Sequence, residues 1–225
     1  LRVRIIMKPM PLVYYPTTTL WVDDDELFLQ AVSQGLKIEQ SIHAFQSPND
    51  CLDHVKTRHP ILPNLPLFRS YSNHDEYEMN PHFPLDINIQ ALSDLRHNAN
   101  RSNDISVFII DFNFNMTEVD GIDLCKILHD MPAKKILLTG AADHKKAVEA
   151  FNDGIIDCFI RKDSQNLYTE LQYFIHSLTH QYFRDITHPL LVHLETDYNL
   201  PLTDKNFINY FNQWCIENRI KEYYL

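Results

Sequence analysis

The chain has 225 residues, of which 44% are hydrophobic, and is therefore long enough to bury a substantial core. Its net charge of −10 argues against contact with nucleic acid, because binding to phosphates is built from clustered Lys and Arg. The sequence holds no run of about 18 apolar residues, so it predicts neither a membrane span nor a signal peptide. The four cysteines have no short mutual spacing, which argues against a CxxC metal site and indicates a reducing, cytoplasmic compartment.

In the first part of the chain, strand and helix patterns alternate. Residues 18–22 and 41–45 are short β-rich runs, and each is followed by a helical pattern, the first ending near Gly35 and the second starting at Ser47. The apolar residues expected on the buried face of the first helix are Leu27, Ala31 and Leu36. The alternation predicts two successive units of strand and helix.

Residues 57–103 break this alternation. The stretch holds five of the twelve prolines and is far longer than the roughly 2–6 residues that usually join such elements. One helix is predicted near residues 86–97, with Asp86 as its N-cap. We expect the remainder to be an irregular insertion.

Regular alternation returns at residue 105. Residues 105–111, 135–140 and 155–160 are apolar runs typical of parallel strands buried on both faces, and helical patterns separate them. Five strands with helices between them predict an α/β fold with a doubly wound parallel sheet. Ligands bind such a sheet at the carboxyl ends of its strands.

Polar side chains collect at those strand ends. They are Asp23 and Asp24 after the first strand, Asp111 after the third, Thr139 after the fourth and Lys162 after the fifth. Taken singly, each is typical of a helix cap, a turn or a solvated charge, but together they predict a site. Like charges packed together favour a bound cation, and carboxylate oxygens are ligands that suit Mg²⁺.

The same motifs resemble the receiver domain of bacterial two-component response regulators. "WVDDDE" is similar to the family's acidic pair, and "VFIIDFNFNMTEVDG" loosely to its Asp-x-x-x-Pro-x-x-Asp-Gly segment. "ILLTG" is similar to its Thr or Ser followed by a small residue, and "CFIRKD" to its aromatic before a Lys. The resemblance covers about residues 18–180, leaves out the insertion and implies the flavodoxin-like receiver fold. In its low glycine content and frequent Asn and Ile, the chain also resembles atypical bacterial regulators, quorum-sensing regulators among them.

The resemblance implies a role for each acidic residue. Asp111 would accept a phosphoryl group from a histidine kinase or phosphotransfer protein, as a phosphoacceptor and not as a turnover enzyme. Asp24 would bind Mg²⁺ directly and Asp23 mainly through water. Asp111 and the backbone carbonyl of Asn113 would be further ligands.

The other matching residues would bind the phosphoryl group and respond to it. Lys162 and the Thr139 hydroxyl would contact phosphoryl oxygens, and Gly140 would leave room for the group to enter. Once Thr139 is drawn inward, Phe159 would turn into the vacated space and change a partner or homodimer surface.

The sequence departs from the family pattern in three ways. The loop from Asp111 to Gly121 is two residues longer and lacks the proline. Asp163 replaces the proline after Lys162, so a cis peptide bond is not expected there. The carboxylate of Asp163 would also add negative charge near the phosphate, which counts against efficient phosphorylation.

Two other functions stay open. A pseudo-receiver would keep the fold as an interaction module without phosphoryl transfer. A haloacid-dehalogenase-type phosphatase also uses a strand-end Asp nucleophile with a Thr and a Lys around Mg²⁺. In "DFNF", however, Asn113 stands where that family has its second acid.

We expect three parts in the chain. Residues 1–17 form an N-terminal extension, residues 18–180 the receiver domain, and residues 181–225 a mainly helical extension that would begin an output region. The extension contains an apolar stripe that needs a partner surface, formed by Phe207, Phe211, Trp214 and Cys215. The final "IKEYYL" is strand-like with no evident strand to pair with, so we expect the natural chain to continue.

Overall fold

The computed structural model describes residues 10–36, 38, 40–58, 60–67, 87–115, 119–197 and 201–225. The strands are β1 (Val13–Tyr14), β2 (Thr18–Val22), β3 (Ser41–Phe45), β4 (Ile105–Asp111), β5 (Lys134–Thr139), β6 (Cys158–Arg161) and β7 (Tyr223–Tyr224). The helices are α1 (Glu26–Gly35), α2 (Pro48–Lys56), α3 (Ile89–His97), α4 (Gly121–Ile127), α5 (His144–Asn152), α6 (Leu167–Asp197) and α7 (Lys205–Glu217). Single 3-10 turns lie at Leu62–Asn64, Arg101–Asn103, Ala141–Asp143 and Pro201–Thr203.

Five of these strands form one parallel sheet in the order β3-β2-β4-β5-β6, which confirms the predicted doubly wound arrangement. The central strand β4 is buried along its whole length, as a strand covered on both faces requires. One face of the sheet packs on α1 and α6, and the other packs on α2, α4 and α5. The register pairs Asp111 with Leu138 and Thr139 with Arg161, so β4, β5 and β6 end side by side.

Helix α1 buries a different face from the one predicted. Leu29 and Val32 pack into the core together with Leu36, whereas Leu27 is 77% exposed. The prediction was therefore right for Leu36 and wrong for Leu27 and Ala31, which are both exposed. The three buried residues follow one another at intervals of three and four, so they form the single helical stripe that the sheet covers.

The described part of the insertion is anchored to the sheet by Asp104. Its buried carboxylate accepts hydrogen bonds from the Tyr15 hydroxyl at 2.8 Å and from the N–H groups of Ile61 and Leu62 at 2.6 and 3.0 Å. A buried carboxylate with three donors is well compensated for its loss of water. Asp104 therefore joins the N-terminal segment, the insertion and the start of β4.

The helix that the sequence predicted inside the insertion is α3. Its N-cap is Asn88, whose side chain accepts a hydrogen bond of 3.1 Å from the N–H of Ala91. The predicted cap, Asp86, lies outside the described residues. Asn is as good a capping residue as Asp, so the sequence pattern alone does not separate the two positions.

Helix α6 runs for 31 residues and crosses the predicted boundary at residue 180. Its first half packs on the sheet through Leu171 and Ile175, and Tyr182 and Phe183 pack on the N-terminal segment. The division into receiver and extension stays a prediction, because this continuous helix belongs to both. Among the helices that the structure describes, none combines the length and the apolar composition that a membrane span requires.

The last residues of the chain are paired, contrary to our expectation for "IKEYYL". Strand β7 (Tyr223–Tyr224) pairs antiparallel with β1 (Val13–Tyr14). The N–H of Leu225 also donates to the carbonyl of Leu12 at 2.8 Å. The expectation that this strand has no partner was wrong because the pairing strand comes from the first residues that the structure describes, where local patterns give no sign of it.

The apolar stripe on α7 is partly covered by β7. Phe211 lies 6.0 Å from Phe207 between ring centroids and meets Tyr223 edge-on at 5.2 Å. Trp214, further along the stripe, is 42% exposed. Part of the partner surface that this stripe needs is therefore supplied by the chain itself.

Candidate functional site

Three consecutive acids follow β2, and each has a different task. Asp25 caps α1 by accepting a hydrogen bond of 3.0 Å from the N–H of Phe28. Asp23 is fully buried and accepts from the N–H of Asp25 at 3.1 Å. Asp24 is half-buried and its carboxylate contacts the loop after β4. Because Asp25, which sequence reasoning did not single out, supplies the helix cap, Asp23 and Asp24 both face the site.

Asp23, Asp24 and Asp111 form the carboxylate cluster that the strand ends predicted. One oxygen of each lies within 4.8 Å of the others. Asp111 ends β4 and is only 6% exposed. The parallel sheet brings these residues together because β2 and β4 are neighbours and end at the same edge.

Lys162 is the cation of this cluster. Its Nζ lies 2.8 Å from an oxygen of Asp23 and 2.8 Å from an oxygen of Asp111. Its backbone N–H donates to the carbonyl of Thr139 at 3.0 Å, which fixes the point where the chain leaves β6. The ammonium also lies 4.8 Å from the ring centroid of Phe28, a cation–π contact that the sequence gave no reason to expect.

Burial controls the protonation of the site. It raises the pKa of Asp111 to about 6, because the hydrogen bond from Lys162 only partly compensates the loss of water and the charge of Asp23 adds to the rise. Burial also raises the pKa of Asp23, against the same hydrogen bond from Lys162. For Lys162 itself, burial alone would lower the pKa, but its contacts with Asp111 and Asp23 outweigh burial and raise it.

The donor set fits a magnesium ion. Three carboxylates face one ammonium group, so the cluster carries excess negative charge when they are ionised. Hard oxygen ligands from two or three carboxylates, with water completing the shell, are what Mg²⁺ prefers. The further predicted ligand, Asn113, lies in the loop directly after β4, and its side-chain amide donates to Asp143 at 2.9 Å.

Thr139 and Gly140 lie at the end of the neighbouring strand β5. Thr139 is fully buried, and its hydroxyl has no hydrogen-bond partner among the residues that the structure describes. Gly140 is exposed, and a Cβ atom placed on it would meet only an oxygen of Asp143, at an ordinary 3.7 Å. The chain therefore offers an unused hydroxyl donor beside an open backbone position.

Phe159 contacts the start of helix α5. The half-buried ring meets His144 edge-on at 5.3 Å and Phe151 at 6.3 Å. His144 begins α5, and only the 3-10 turn Ala141–Asp143 and Gly140 separate it from Thr139. The two predicted switch residues, Thr139 and Phe159, are thus connected through a short segment of chain.

Asp163 is paired with a neighbour. Two of its oxygens accept hydrogen bonds from Arg161 at 2.9 and 2.6 Å, and both side chains are more than half exposed. The sequence-based concern about added negative charge therefore loses weight, because the guanidinium offsets the carboxylate. The peptide bond between Lys162 and Asp163 is trans.

Gly121 is required by the close approach of α4 to the end of β4. A Cβ atom on Gly121 would lie 2.1 Å from the backbone carbonyl oxygen of Asp111, and its N–H donates to the carbonyl of Phe112 at 2.8 Å. Asp120 caps this helix by accepting from the N–H of Asp123 at 2.9 Å. The "DG" pair of the motif thus holds both ends of the loop together.

Asn115 is a further residue that sequence reasoning missed. Its backbone N–H and its side-chain amide both donate to the same oxygen of Asp24, each at 2.8 Å. The two residues are far apart in sequence, so only the fold brings them together. The one available signal was the absence of the family's proline from the loop after Asp111.

No protein-family model and no curated protein matches the chain. Among solved structures, it is similar to the Legionella pneumophila response regulator LqsR, with 28% identity and a TM-score of 0.76 over 97% of this chain. The chain spans 62% of that structure's own length.

Two further solved structures share the fold at lower identity. An adenylate cyclase from Rhodopirellula baltica has 17% identity and a TM-score of 0.52, with 79% of this chain and 96% of that chain covered. An uncharacterized protein from Neptuniibacter caesariensis has 16% identity and a TM-score of 0.52, with 77% and 95% covered. At these identities the likeness concerns the fold alone. The order of the sheet and the likeness to LqsR together confirm the resemblance that the motifs indicated: the chain has the receiver fold of bacterial response regulators.

Proposed function

We propose that the chain acts in the cytoplasm as a phosphorylation-controlled response regulator, and that Asp111 accepts a phosphoryl group from a histidine kinase or phosphotransfer protein. The observation that carries the proposal is the contact of one ammonium group, that of Lys162, with Asp111 and Asp23 at 2.8 Å each, at the strand edge where Asp24 completes the cluster. A buried nucleophile next to a fixed cation suits phosphoryl transfer, in which catalysis is mainly positioning and electrostatics.

The reaction exchanges one bond to phosphorus for another. A carboxylate oxygen of Asp111 attacks the phosphorus of a phosphohistidine, the P–N bond breaks, and its electron pair stays with the imidazole. The product on Asp111 is an acyl phosphate. Attack requires the ionised carboxylate. Burial raises the pKa of Asp111, but only to about 6, so the ionised form still dominates at neutral pH.

Asp23, Asp24 and Asp111, with the backbone carbonyl of Asn113, would hold Mg²⁺. When bound, the ion supplies positive charge that offsets the oxygens of the transferring group. Lys162 would supply a further positive charge, because its ammonium already contacts the attacking carboxylate. The charge of Lys162 and that of a bound ion would together offset more of the negative charge on the transferring group than either would alone.

The buried Thr139 hydroxyl suits the product. A phosphoryl oxygen on Asp111 would give this unpaired donor an acceptor, and Gly140 would leave the approach open. Movement of Thr139 pulls on the segment that leads to His144, and Phe159 packs on His144. We infer a shift in population between two packings of this surface, read by a partner or a second copy of the chain.

Incubation with Mg²⁺ and acetyl phosphate tests the proposal. The wild type should gain the mass of one phosphoryl group, and Asp111→Asn should gain none. Asp94→Asn, which changes an exposed acid on α3, is the matched control and should be phosphorylated like the wild type.

The other outcomes separate the alternatives. A folded wild type that gains no mass would leave the pseudo-receiver, an interaction module without phosphoryl transfer. Turnover of a generic phosphatase substrate would favour the haloacid-dehalogenase type instead. The latter reading is weakened by Asn113, whose amide is bonded to Asp143 and which has no acidic proton for a leaving group.

A further inference from the structure

Asp24 differs from the other two carboxylates of the cluster in its burial and in its partners. It is half-buried, whereas Asp23 and Asp111 are buried and bound by Lys162. What holds Asp24 is Asn115, through two hydrogen bonds of 2.8 Å to a single oxygen. Two donors that converge on one oxygen hold that oxygen in place and leave the other oxygen of the carboxylate for a different partner.

We propose that Asn115 is a positioning residue, which orients Asp24 and so sets the affinity of the site for a divalent cation. This inference rests on the metal site of the proposed function. It concerns Asn115 alone, which contacts Asp24 and belongs to no other part of the proposed machinery.

The contact depends on a departure in the sequence. In the family segment Asp-x-x-x-Pro, position 115 is the proline, counted from Asp111. Proline has no backbone N–H, and its side chain has no donor. Asn at this position supplies both, so the carboxylate of Asp24 receives two hydrogen bonds that the proline would not provide.

Backbone hydrogen bonds hold the two ends of the loop that carries Asn115. The N–H of Phe112 donates to the carbonyl of Leu138 at 2.9 Å, and the N–H of Gly121 donates to the carbonyl of Phe112 at 2.8 Å. Asn115 itself is exposed, so its hydrogen bonds to Asp24 do little for the core. Its contribution is therefore expected in the site more than in the stability of the fold.

Repulsion between the three carboxylates also makes the support of Asp24 by Asn115 important for cation binding. Three carboxylates within 4.8 Å repel one another when no cation is bound, and Asp24, the most exposed, is the one free to turn toward water. Hydrogen bonds from outside the ligand shell keep ligands in place, and their loss typically lowers metal affinity about 10–100-fold. If Asn115 instead competed with the metal for Asp24, its removal would raise affinity, so the two possibilities predict opposite signs.

Isothermal titration calorimetry with MgCl₂ and no phosphodonor tests the inference. Asn115→Ala removes the side-chain donor and keeps the backbone N–H, so the affinity should fall about 10-fold. Asn115→Pro removes both donors, so the affinity should fall further, by up to about 100-fold. Asn152→Ala, at the exposed end of α5, is the control and should bind Mg²⁺ like the wild type.

A double-mutant cycle shows whether the effect passes through Asp24. In an Asp24→Asn background, Asn115→Ala should cause no further loss of affinity. Circular dichroism and the unfolding midpoint verify each variant, and if Asn115→Pro does not fold, Asn115→Ala decides alone.

The outcomes are distinct. Equal or tighter binding by Asn115→Ala, with a wild type that binds Mg²⁺, would overturn the role of Asn115 and leave the proposed function intact. A wild type that binds no Mg²⁺ would overturn the metal site of the proposed function itself. A graded loss in the two variants that vanishes in the Asp24→Asn background would support the inference.

Discussion

The contact of Lys162 with two buried carboxylates gives a direct test of the site. Lys162→Met keeps an unbranched apolar stem and removes the ammonium that lies 2.8 Å from both Asp23 and Asp111. Breaking a buried ion pair from one side costs about 3–5 kcal/mol. Because the Lys162 side chain is 26% exposed, water replaces part of the lost interaction. We therefore expect a loss at the lower end, about 3 kcal/mol at pH 8.

This loss depends on pH in a direction that follows from Asp111. Burial raises the pKa of Asp111 from 3.8 to about 6, so between these values the folded state binds more protons than the unfolded state. Stability accordingly falls as the pH rises through this window. Without Lys162 the pKa of Asp111 would rise further and the window would extend upward. At pH 5 a proton can take the place of the ammonium, and the deficit of the variant should shrink.

Thermal unfolding followed by circular dichroism, in buffer with a chelator, measures this deficit at pH 5 and pH 8. For a domain of this size, 1 kcal/mol corresponds to about 2–4 °C, so Tm should fall by about 6–12 °C at pH 8. Lys145→Met removes an exposed lysine from α5 and is the matched control. A deficit that matches the control, or one that is the same at both pH values, would refute the assignment of Lys162 as the counter-ion of this cluster.

The remaining predictions concern the fold that carries the site. Gly121→Ala places a Cβ atom 2.1 Å from the carbonyl oxygen of Asp111 and should lower the free energy of unfolding by about 1–3 kcal/mol in urea, whereas Gly140→Ala, with 3.7 Å of clearance, should change it little. Asp104→Ala leaves one hydroxyl and two backbone N–H groups without their acceptor and should cost at least about 3 kcal/mol by the same measurement. Burial lowers the pKa of His180 to about 3, below its ordinary 6.5, so stability should be lost as the pH falls from 6.5 toward 3, and His180→Phe should weaken that dependence.

The sheet could be predicted from the sequence because its signals are local. The run at residues 105–111 is apolar enough to read as a buried parallel strand, and it is buried throughout. The strand predicted at 155–160 is less accurate, since β6 is Cys158–Arg161. The first of those residues follow the C-terminal turn of α5, where Gly154 has a positive φ and the N–H of Ile155 donates to the carbonyl of Ala150 at 2.9 Å.

The site was predictable only as far as strand ends determine it. A parallel sheet brings the residues that end its strands to one edge. Asp111 and Thr139 could therefore be placed together from the order of the strands in the sequence. Asn115 and Phe28 contribute through contacts with side chains of other elements, at 2.8 Å to Asp24 and at 4.8 Å to the ammonium of Lys162. Spacing and periodicity carry no information about such contacts.

The arrangement of hydrogen bonds indicates which group would gain most from a phosphoryl group on Asp111. Lys162 already contacts Asp23 and Asp111, and Asn115 already contacts Asp24. Within the described part of the chain, the buried Thr139 hydroxyl, at the end of β5, has no acceptor. A buried polar group without its hydrogen bond costs about 1–3 kcal/mol, and coupling between sites in switching proteins is typically of the same size. We therefore expect the free energy that Thr139 would recover to be large enough for the proposed shift in population at the surface of His144 and Phe159.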